Sequence, residues 1–175
     1  MVKEKKALFF DRDGTIIKSR ISFKNKPIAI NNLKECKIFP AVKKTLNKLK
    51  KGYLIFVITN QPDVARKQTL KKDVIEINRY LKKKLPIKKI YTCYCKTNKC
   101  NFRKPNIGML KEASKKYKIN LKNSFVIGDR WKDIDAGKKA NCKTIFIDKG
   151  YSEKLRKKPD YVIKNFYGIN KIIKS

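Results

Sequence analysis

The 175-residue chain contains no histidine, and its 14 Asp plus Glu stand against 47 Lys plus Arg, a formal net charge of +33 at pH 7. Without histidine, the chain cannot use Ser-His-Asp or Cys-His catalysis, histidine-ligated zinc or phosphohistidine chemistry. Any catalysis must depend on carboxylates, lysines, hydroxyls or cysteines. Because acids are scarce, the position of each carboxylate is informative.

The sequence also lacks long apolar runs. Its first apolar run, residues 7–10, is too short for the core of a signal peptide. No stretch approaches the roughly 18–20 apolar residues of a membrane-spanning helix. We therefore expect a cytoplasmic protein without a membrane partner. In that reducing setting, the grouping of Cys93, Cys95 and Cys100 suggests metal binding more than a disulfide.

The large positive charge would attract nucleic acid or an anionic membrane. However, the basic residues are spread over the whole chain in short runs, such as residues 82–84, beside helix-like stretches. No basic tail or patch of the kind that binds nucleic acid stands out. We interpret the charge as a lysine-rich solvated surface, and we do not expect a nucleic-acid partner.

Short apolar runs alternate with helical patterns along the chain. Strands are predicted at residues 7–10, 53–58, 90–95, 125–127, 144–147 and 161–163, and helices at 40–49, 70–85, 107–117, 134–140 and 165–173. Residues 18–37 are predicted to form a polar loop. The alternation predicts an α/β fold, a Rossmann-like three-layer sandwich with a central parallel sheet. The length favours one domain over residues 1–175, and we expect a monomer.

Polar clusters follow three of the predicted strands, where ligands bind in parallel sheets. Asp11 and Asp13 follow the first strand, and Asp129 follows Gly128 at another strand end, four residues before Asp133. Helix-dipole stabilisation of a first-turn acid explains Asp133 but not Asp129. Close carboxylates repel unless a cation lies between them, and oxygen-only ligands with open positions suit Mg²⁺. The pattern therefore predicts a magnesium site.

Two other side chains fit phosphoryl transfer at such a metal. Thr59 supplies a hydroxyl at the end of the second predicted strand, and Lys104 supplies a cation in the loop before Pro105. Phosphoryl transfer needs groups of these types on the phosphoryl oxygens. One lysine or one threonine is a weak signal, so the prediction depends on the ordered set of clusters.

The ordered set resembles the four motifs of the haloacid dehalogenase phosphatases. These motifs are residues 11–15 (Asp-Arg-Asp-Gly-Thr), 58–61 (Ile-Thr-Asn-Gln), 103–105 (Arg-Lys-Pro) and Gly128-Asp129 with Asp133. The resemblance implies a Mg²⁺-dependent phosphatase that forms an aspartyl-phosphate. Because the segment between the first two motifs is short, it also implies that the fold has no large cap domain.

The resemblance assigns a role to each matching residue. Asp11 would be the nucleophile, Asp13 would be the acid and base, and Thr59 and Lys104 would hold the transferring phosphoryl group. The implied Mg²⁺ ligands are the Asp11 carboxylate, the Asp13 main-chain carbonyl and Asp129, with Asp133 in support.

Arg12, Arg103 and the stretch from Asn60 to Arg66 resemble the branch of the family that acts on heptose bisphosphate and histidinol phosphate. That likeness implies substrate binding by Asn60, Gln61, Arg103 and Arg130. The expected reaction converts D-glycero-D-manno-heptose 1,7-bisphosphate to the 1-phosphate, for lipopolysaccharide or other surface glycans. Histidinol phosphate is the first alternative substrate, and a polynucleotide 3′-phosphate is the second.

The cysteine loop departs from the pattern of that branch, which binds a structural zinc through Cys-x-His and Cys-x-Cys. Here Cys93, Cys95 and Cys100 occupy three ligand positions, and Phe102 stands at the fourth. A structural zinc site needs four ligands, and Phe102 cannot be one of them. Three interpretations stay open: zinc held by the three cysteines, a metal-free loop packed by Phe102, or redox chemistry.

Overall fold

A computed structural model describes residues 4–174. Its main sheet has six parallel strands in the order β5-β4-β1-β6-β7-β8. The strands are β1 (Ala7–Phe10), β4 (Leu54–Asn60), β5 (Lys89–Cys93), β6 (Phe125–Gly128), β7 (Lys143–Ile147) and β8 (Tyr161–Ile163). The strand order reverses between β1 and β6, where doubly wound sheets form a binding crevice.

Helices cover both faces of this sheet. They are α1 (Pro40–Leu49), α2 (Pro62–Ala65), α3 (Lys71–Lys84), α4 (Gly108–Tyr117), α5 (Trp131–Lys139) and α6 (Ile169–Ile172). Successive residues of β1 enter opposite cores, since Leu8 packs with Leu46 of α1 and Phe9 packs with Met109 of α4. The predicted three-layer α/β sandwich is confirmed. None of the described helices is both long enough and apolar enough to span a bilayer.

The segment predicted as a polar loop contains a small antiparallel hairpin. Its strands are β2 (Arg20–Ile21) and β3 (Pro27–Ile28), joined by a turn in which Asn25 has a φ of 50°. Strands of two residues are too short to show periodicity. We call residues 20–28 the hairpin.

Several predicted boundaries also shift. Strand β5 ends at Cys93 instead of residue 95, and α5 begins at Trp131 instead of residue 134. The early start of α5 is explained by Asp133, because its carboxylate accepts a hydrogen bond from the Arg130 backbone N–H at 3.1 Å and caps the helix. The predicted closing helix is a 3₁₀ turn over Phe166–Gly168 followed by α6.

Candidate active site

Three buried carboxylates meet beside the reversal in strand order. Asp11 follows β1, Asp129 follows β6, and Asp133 lies in the first turn of α5. Each offers an oxygen within 4.8 Å of the others. They meet because β1 and β6 are hydrogen-bonded neighbours whose carboxyl ends share one edge of the sheet. Asp11 and Asp129 were predicted to follow strands, and the strand order places the ends of those two strands side by side.

Lys104 is the cation of this cluster and is 3% exposed. Its Nζ donates to Asp11 Oδ1 and to Asp133 Oδ1, both at 2.6 Å, and to the Ile58 carbonyl at 2.7 Å. The side chain of Asn60 holds the Lys104 backbone, accepting from its N–H and donating to its carbonyl, both at 3.0 Å. Asn60 therefore fixes the segment that delivers the lysine.

The cluster shifts the protonation of its members. Burial raises the pKa of Asp11 to about 6, although Lys104 opposes the shift. Burial, with the charges of Asp11 and Asp133, also raises the pKa of Asp129 well above its ordinary value. Burial lowers the pKa of Lys104, but the two carboxylates beside it outweigh burial, so its net pKa is raised. Lys104 therefore stays protonated, but its single positive charge does not neutralise the three carboxylates around it.

Asp129 is the carboxylate of this cluster that lacks a partner for one of its oxygens. Its Oδ1 accepts a hydrogen bond from Thr15 Oγ1 at 2.9 Å, whereas its Oδ2 is buried without a partner among the described residues. Gly14, with a φ of 86°, leaves the space that Oδ2 fills. Three carboxylates and one ammonium leave two negative charges. An oxygen-only donor set with that deficit fits a divalent cation such as Mg²⁺.

Asp13 lies beside the cluster and lines the same pocket. Its Oδ2 accepts hydrogen bonds from Arg12 Nε at 2.9 Å and from Gln61 Nε2 at 2.8 Å. Gln61 also donates to Thr59 Oγ1 at 2.9 Å. Gln61 is buried and does not line the pocket, while Asn60 and Thr59 do. The Gln61 amide therefore links Thr59 to Asp13 from beneath the pocket.

Cations and the hairpin form the mouth of the pocket. Arg103, Arg130 and Lys132 line one side, and residues 27–29 line another. Arg103 Nη1 donates to the Cys95 carbonyl at 2.9 Å, while its buried Nε has no partner among the described residues. Lys132 was missed from the sequence, and its only signal was its place in the first turn of α5, two residues after Arg130. The mouth therefore presents positive charge above an acidic floor.

Comparisons with known proteins identify the family of this chain. A haloacid dehalogenase-like family model, described as polynucleotide kinase 3 phosphatase, covers residues 6–161. The chain is 33% identical over 150 residues to D-glycero-alpha-D-manno-heptose-1,7-bisphosphate 7-phosphatase of Campylobacter jejuni, with 81% of each chain covered. It is 30% identical over 188 residues to the beta-specific counterpart of Pasteurella multocida, with 97% of each covered. The chain belongs to the haloacid dehalogenase-like phosphatases.

Solved structures of other family members share the fold of this phosphatase. D,D-heptose 1.7-bisphosphate phosphatase from B. bronchiseptica, in complex with magnesium and phosphate, gives a TM-score of 0.74 at 20% identity, covering 95% of this chain and 97% of that one. A predicted phosphoglycolate phosphatase from Haemophilus somnus gives 0.70 at 20% identity, with 98% and 99% covered. At these identities, the likeness establishes the fold alone.

The cysteine loop of the phosphatase brings its three sulfurs together. Cys93, Cys95 and Cys100 lie within 4.8 Å of one another, and Cys95 and Cys100 are paired as a disulfide. Phe102 packs in the apolar cluster beside them, and no fourth ligand joins the sulfurs among residues 4–174. Three sulfurs without a fourth ligand do not complete a tetrahedral zinc site. The preference for metal over a disulfide in this loop is therefore not supported.

Proposed function

We propose that this chain is a Mg²⁺-dependent phosphatase that removes the 7-phosphate of D-glycero-D-manno-heptose 1,7-bisphosphate through an aspartyl-phosphate on Asp11. The observation that carries the proposal is the pocket floor, where Lys104 bonds Asp11 and Asp133 beside the unpartnered oxygen of Asp129. This arrangement combines a nucleophile, a phosphate-binding cation and a divalent-cation site at one strand edge.

The carboxylates of Asp11 and Asp129 and the main-chain carbonyl of Asp13 would hold Mg²⁺, with Asp133 in support. When bound, Mg²⁺ neutralises charge on the phosphoryl group as it transfers. Asp133 suits a supporting position because its oxygens are already bonded to Lys104 Nζ and to the Arg130 backbone N–H. Asp129 suits a direct ligand position, because its buried Oδ2 has no hydrogen-bond partner among the described residues.

The residues of the chain then divide the reaction into two displacements. An oxygen of Asp11 attacks phosphorus while the bond from phosphorus to the ester oxygen breaks, and Asp13 donates a proton to the departing oxygen. In the second step, water attacks the aspartyl-phosphate and Asp13 takes its proton, which releases inorganic phosphate and restores Asp11. Lys104 and the Thr59 hydroxyl donate hydrogen bonds to the phosphoryl oxygens throughout.

The choice of a sugar bisphosphate is supported by the relatives and by the pocket mouth. The curated relatives described above are named as heptose-1,7-bisphosphate 7-phosphatases. A bisphosphate carries a second phosphate away from the reacting one, and Arg103 and Arg130 line the pocket where that group would lie. Arginine binds phosphate through paired, charge-assisted hydrogen bonds. We assign recognition of the distal part of the substrate to these arginines.

Two alternative substrates are less well supported. Histidinol phosphate has a single phosphate, so it would leave the cations of the mouth without a phosphate to bind. A polynucleotide 3′-phosphate agrees with the description of the family model, but no aromatic residue that could stack a base is among the described residues lining the pocket. Neither alternative accounts for the mouth as well as a bisphosphate does.

A phosphate-release panel tests the proposal, with heptose bisphosphate, histidinol phosphate and a 3′-phosphorylated oligonucleotide as substrates in Mg²⁺. The bisphosphate should give the highest kcat/KM, and a preference for the oligonucleotide would contradict the sugar assignment. Asp11→Asn should abolish turnover and incorporation of labelled phosphate into the protein. Retained turnover in that variant would contradict the nucleophile assignment.

Zinc is not part of this proposal, because the cysteine loop offers three sulfurs and no fourth ligand among residues 4–174. Metal analysis of the purified protein tests this directly, and stoichiometric zinc would contradict it. The cytoplasmic location, the monomeric state and the single-domain organisation stay predictions from the sequence.

A further inference from the structure

A short segment of the loop after β7 contacts both sides of the pocket mouth. We call residues 150–153 the strap. Neither the motifs nor the catalytic proposal uses these residues, and the strap lies at the surface between the hairpin and the start of α5. Its polar contacts with both elements suggest a function beyond closing a loop.

Hydrogen bonds join the strap to the hairpin. Asn25 Nδ2 donates to the Gly150 carbonyl at 2.7 Å, Ser152 Oγ donates to the Lys24 carbonyl at 2.9 Å, and the Ser152 backbone N–H donates to the Asn25 carbonyl at 3.2 Å. The hairpin forms a wall of the pocket through Pro27 and Ile28. The strap therefore braces a wall that strands of two residues would hold weakly by themselves.

At its other end, the strap holds Arg130 through Glu153. Arg130 Nε donates to Glu153 Oε2 at 2.8 Å, and Nη2 pairs with Oε1, so the contact is bidentate. The Glu153 side chain is 15% exposed and that of Arg130 is 31% exposed. A bidentate pair fixes the plane of the guanidinium as well as its position. An unrestrained arginine side chain would lose rotamer entropy when it becomes ordered on binding phosphate, and the pair with Glu153 removes part of that cost.

The surroundings of Arg130 explain why it needs such a partner. Arg103 and Lys132 line the same mouth, and each repels the Arg130 guanidinium. Glu153 is the only carboxylate within ion-pair distance of Arg130 among residues 4–174. The floor carboxylates of Asp11 and Asp133 also attract the guanidinium, but from beyond ion-pair distance, so Glu153 is the contact that fixes its orientation.

We propose that Glu153 is a positioning residue that orders Arg130 over the pocket, and that the strap holds Arg130 and the hairpin wall as one preformed surface for the distal phosphate of an organic bisphosphate. This inference rests on the proposed function, because it concerns the second phosphate of the same substrate. Glu153 itself touches neither the reacting phosphoryl group nor its ligands. It acts through Arg130, so it should affect binding and leave the chemical step unchanged.

The test compares Glu153→Gln with the wild type on heptose bisphosphate and on p-nitrophenyl phosphate, which has no second phosphate. For the bisphosphate, KM should rise about tenfold with little change in kcat, as expected when a charge-assisted contact is lost. For p-nitrophenyl phosphate, both constants should match the wild type. Glu112→Gln is the matched control. Glu112 of α4 also forms an ion pair, with Lys89 of β5, and neither residue lines the pocket.

A double-mutant cycle keeps the inference testable if loss of the charge also disturbs the loop. In an Arg130→Gln background, Glu153→Gln should raise KM no further, since its effect passes through Arg130. An equal further rise there would overturn the inference, and so would an unchanged KM in the single variant. A wild-type protein that hydrolyses p-nitrophenyl phosphate but not the bisphosphate would instead refute the proposed substrate.

Discussion

Replacing Lys104 with methionine removes the cation that holds two buried carboxylates together. Its Nζ lies 2.6 Å from oxygens of both Asp11 and Asp133, and the residue is 3% exposed. Removing one partner from a buried ion pair costs about 3–5 kcal/mol, because the charge left behind is uncompensated. For a domain of this size, that loss lowers Tm by roughly 6–20 °C in the absence of metal. Phosphate release should also fall by about 100-fold or more, since a donor to the phosphoryl group is lost.

Magnesium should offset part of the loss of stability. With Lys104 present, the three carboxylates have one compensating charge, and in the variant they have none. Mg²⁺ should therefore raise the Tm of the variant more than that of the wild type, because it binds the folded state alone.

Thermal unfolding followed by circular dichroism, in EDTA and in excess Mg²⁺, measures both effects. Lys89→Met is the matched control, because it breaks a half-exposed pair with Glu112 at 3.2 Å and should cost no more than about 1 kcal/mol. If Lys104→Met has the same Tm as the wild type in EDTA, Lys104 does not stabilise the pocket floor. If Mg²⁺ shifts both proteins equally, the charge argument fails.

Two further predictions concern the same floor. Burial raises the pKa of Asp11 to about 6 in the folded, metal-free protein, from an ordinary value of 3.8. Between these two pH values the folded protein holds a proton on Asp11 that the unfolded chain has released. Its stability relative to Asp11→Asn, measured by urea unfolding, should therefore fall by about 3 kcal/mol as the pH rises from about 3 to about 7, and a relative gain over that range would contradict the assignment. Gly14→Ala should cost at least about 1–2 kcal/mol for its left-handed backbone and weaken Mg²⁺ binding, because the new Cβ would overlap Asp129 Oδ2. The control is Gly52→Ala, whose Cβ meets nothing; equal Mg²⁺-induced shifts in Tm for the two variants would argue against a metal at Asp129.

The layered fold and the pocket floor were accessible from the sequence because both depend on local signals. Apolar runs mark the buried strands, and the scarce acids stand directly after two of them. In a parallel sheet these ends share one edge, so Asp11, Asp129 and Thr59 could be grouped without knowing the strand order. Hairpin residues 20–28 escaped prediction, since strands of two residues leave no periodic pattern.

The pocket mouth was less accessible because its contacts depend on the paths of loops. Lys132 is one lysine in a chain rich in lysine, and only the orientation of α5 distinguishes it from the others. Glu153 meets Arg130 across 23 residues of sequence, and the path of the loop between them is not encoded in any periodicity. The pairing of Cys95 with Cys100 has a similar cause, because composition favours metal ligation while the fold brings two sulfurs into contact.

The floor and the mouth of the pocket have opposite charges, and that contrast couples metal binding to substrate binding. The chain carries a formal charge of +33, so its long-range field attracts anions. A phosphate that reaches the floor then meets three carboxylates compensated by a single lysine, and it is repelled there unless a divalent cation is present. Mg²⁺ in turn is repelled by the overall charge and by the cations of the mouth, so it gains from an anionic companion. Each ligand therefore supplies charge that the other one needs, and each should bind more tightly when the other is present.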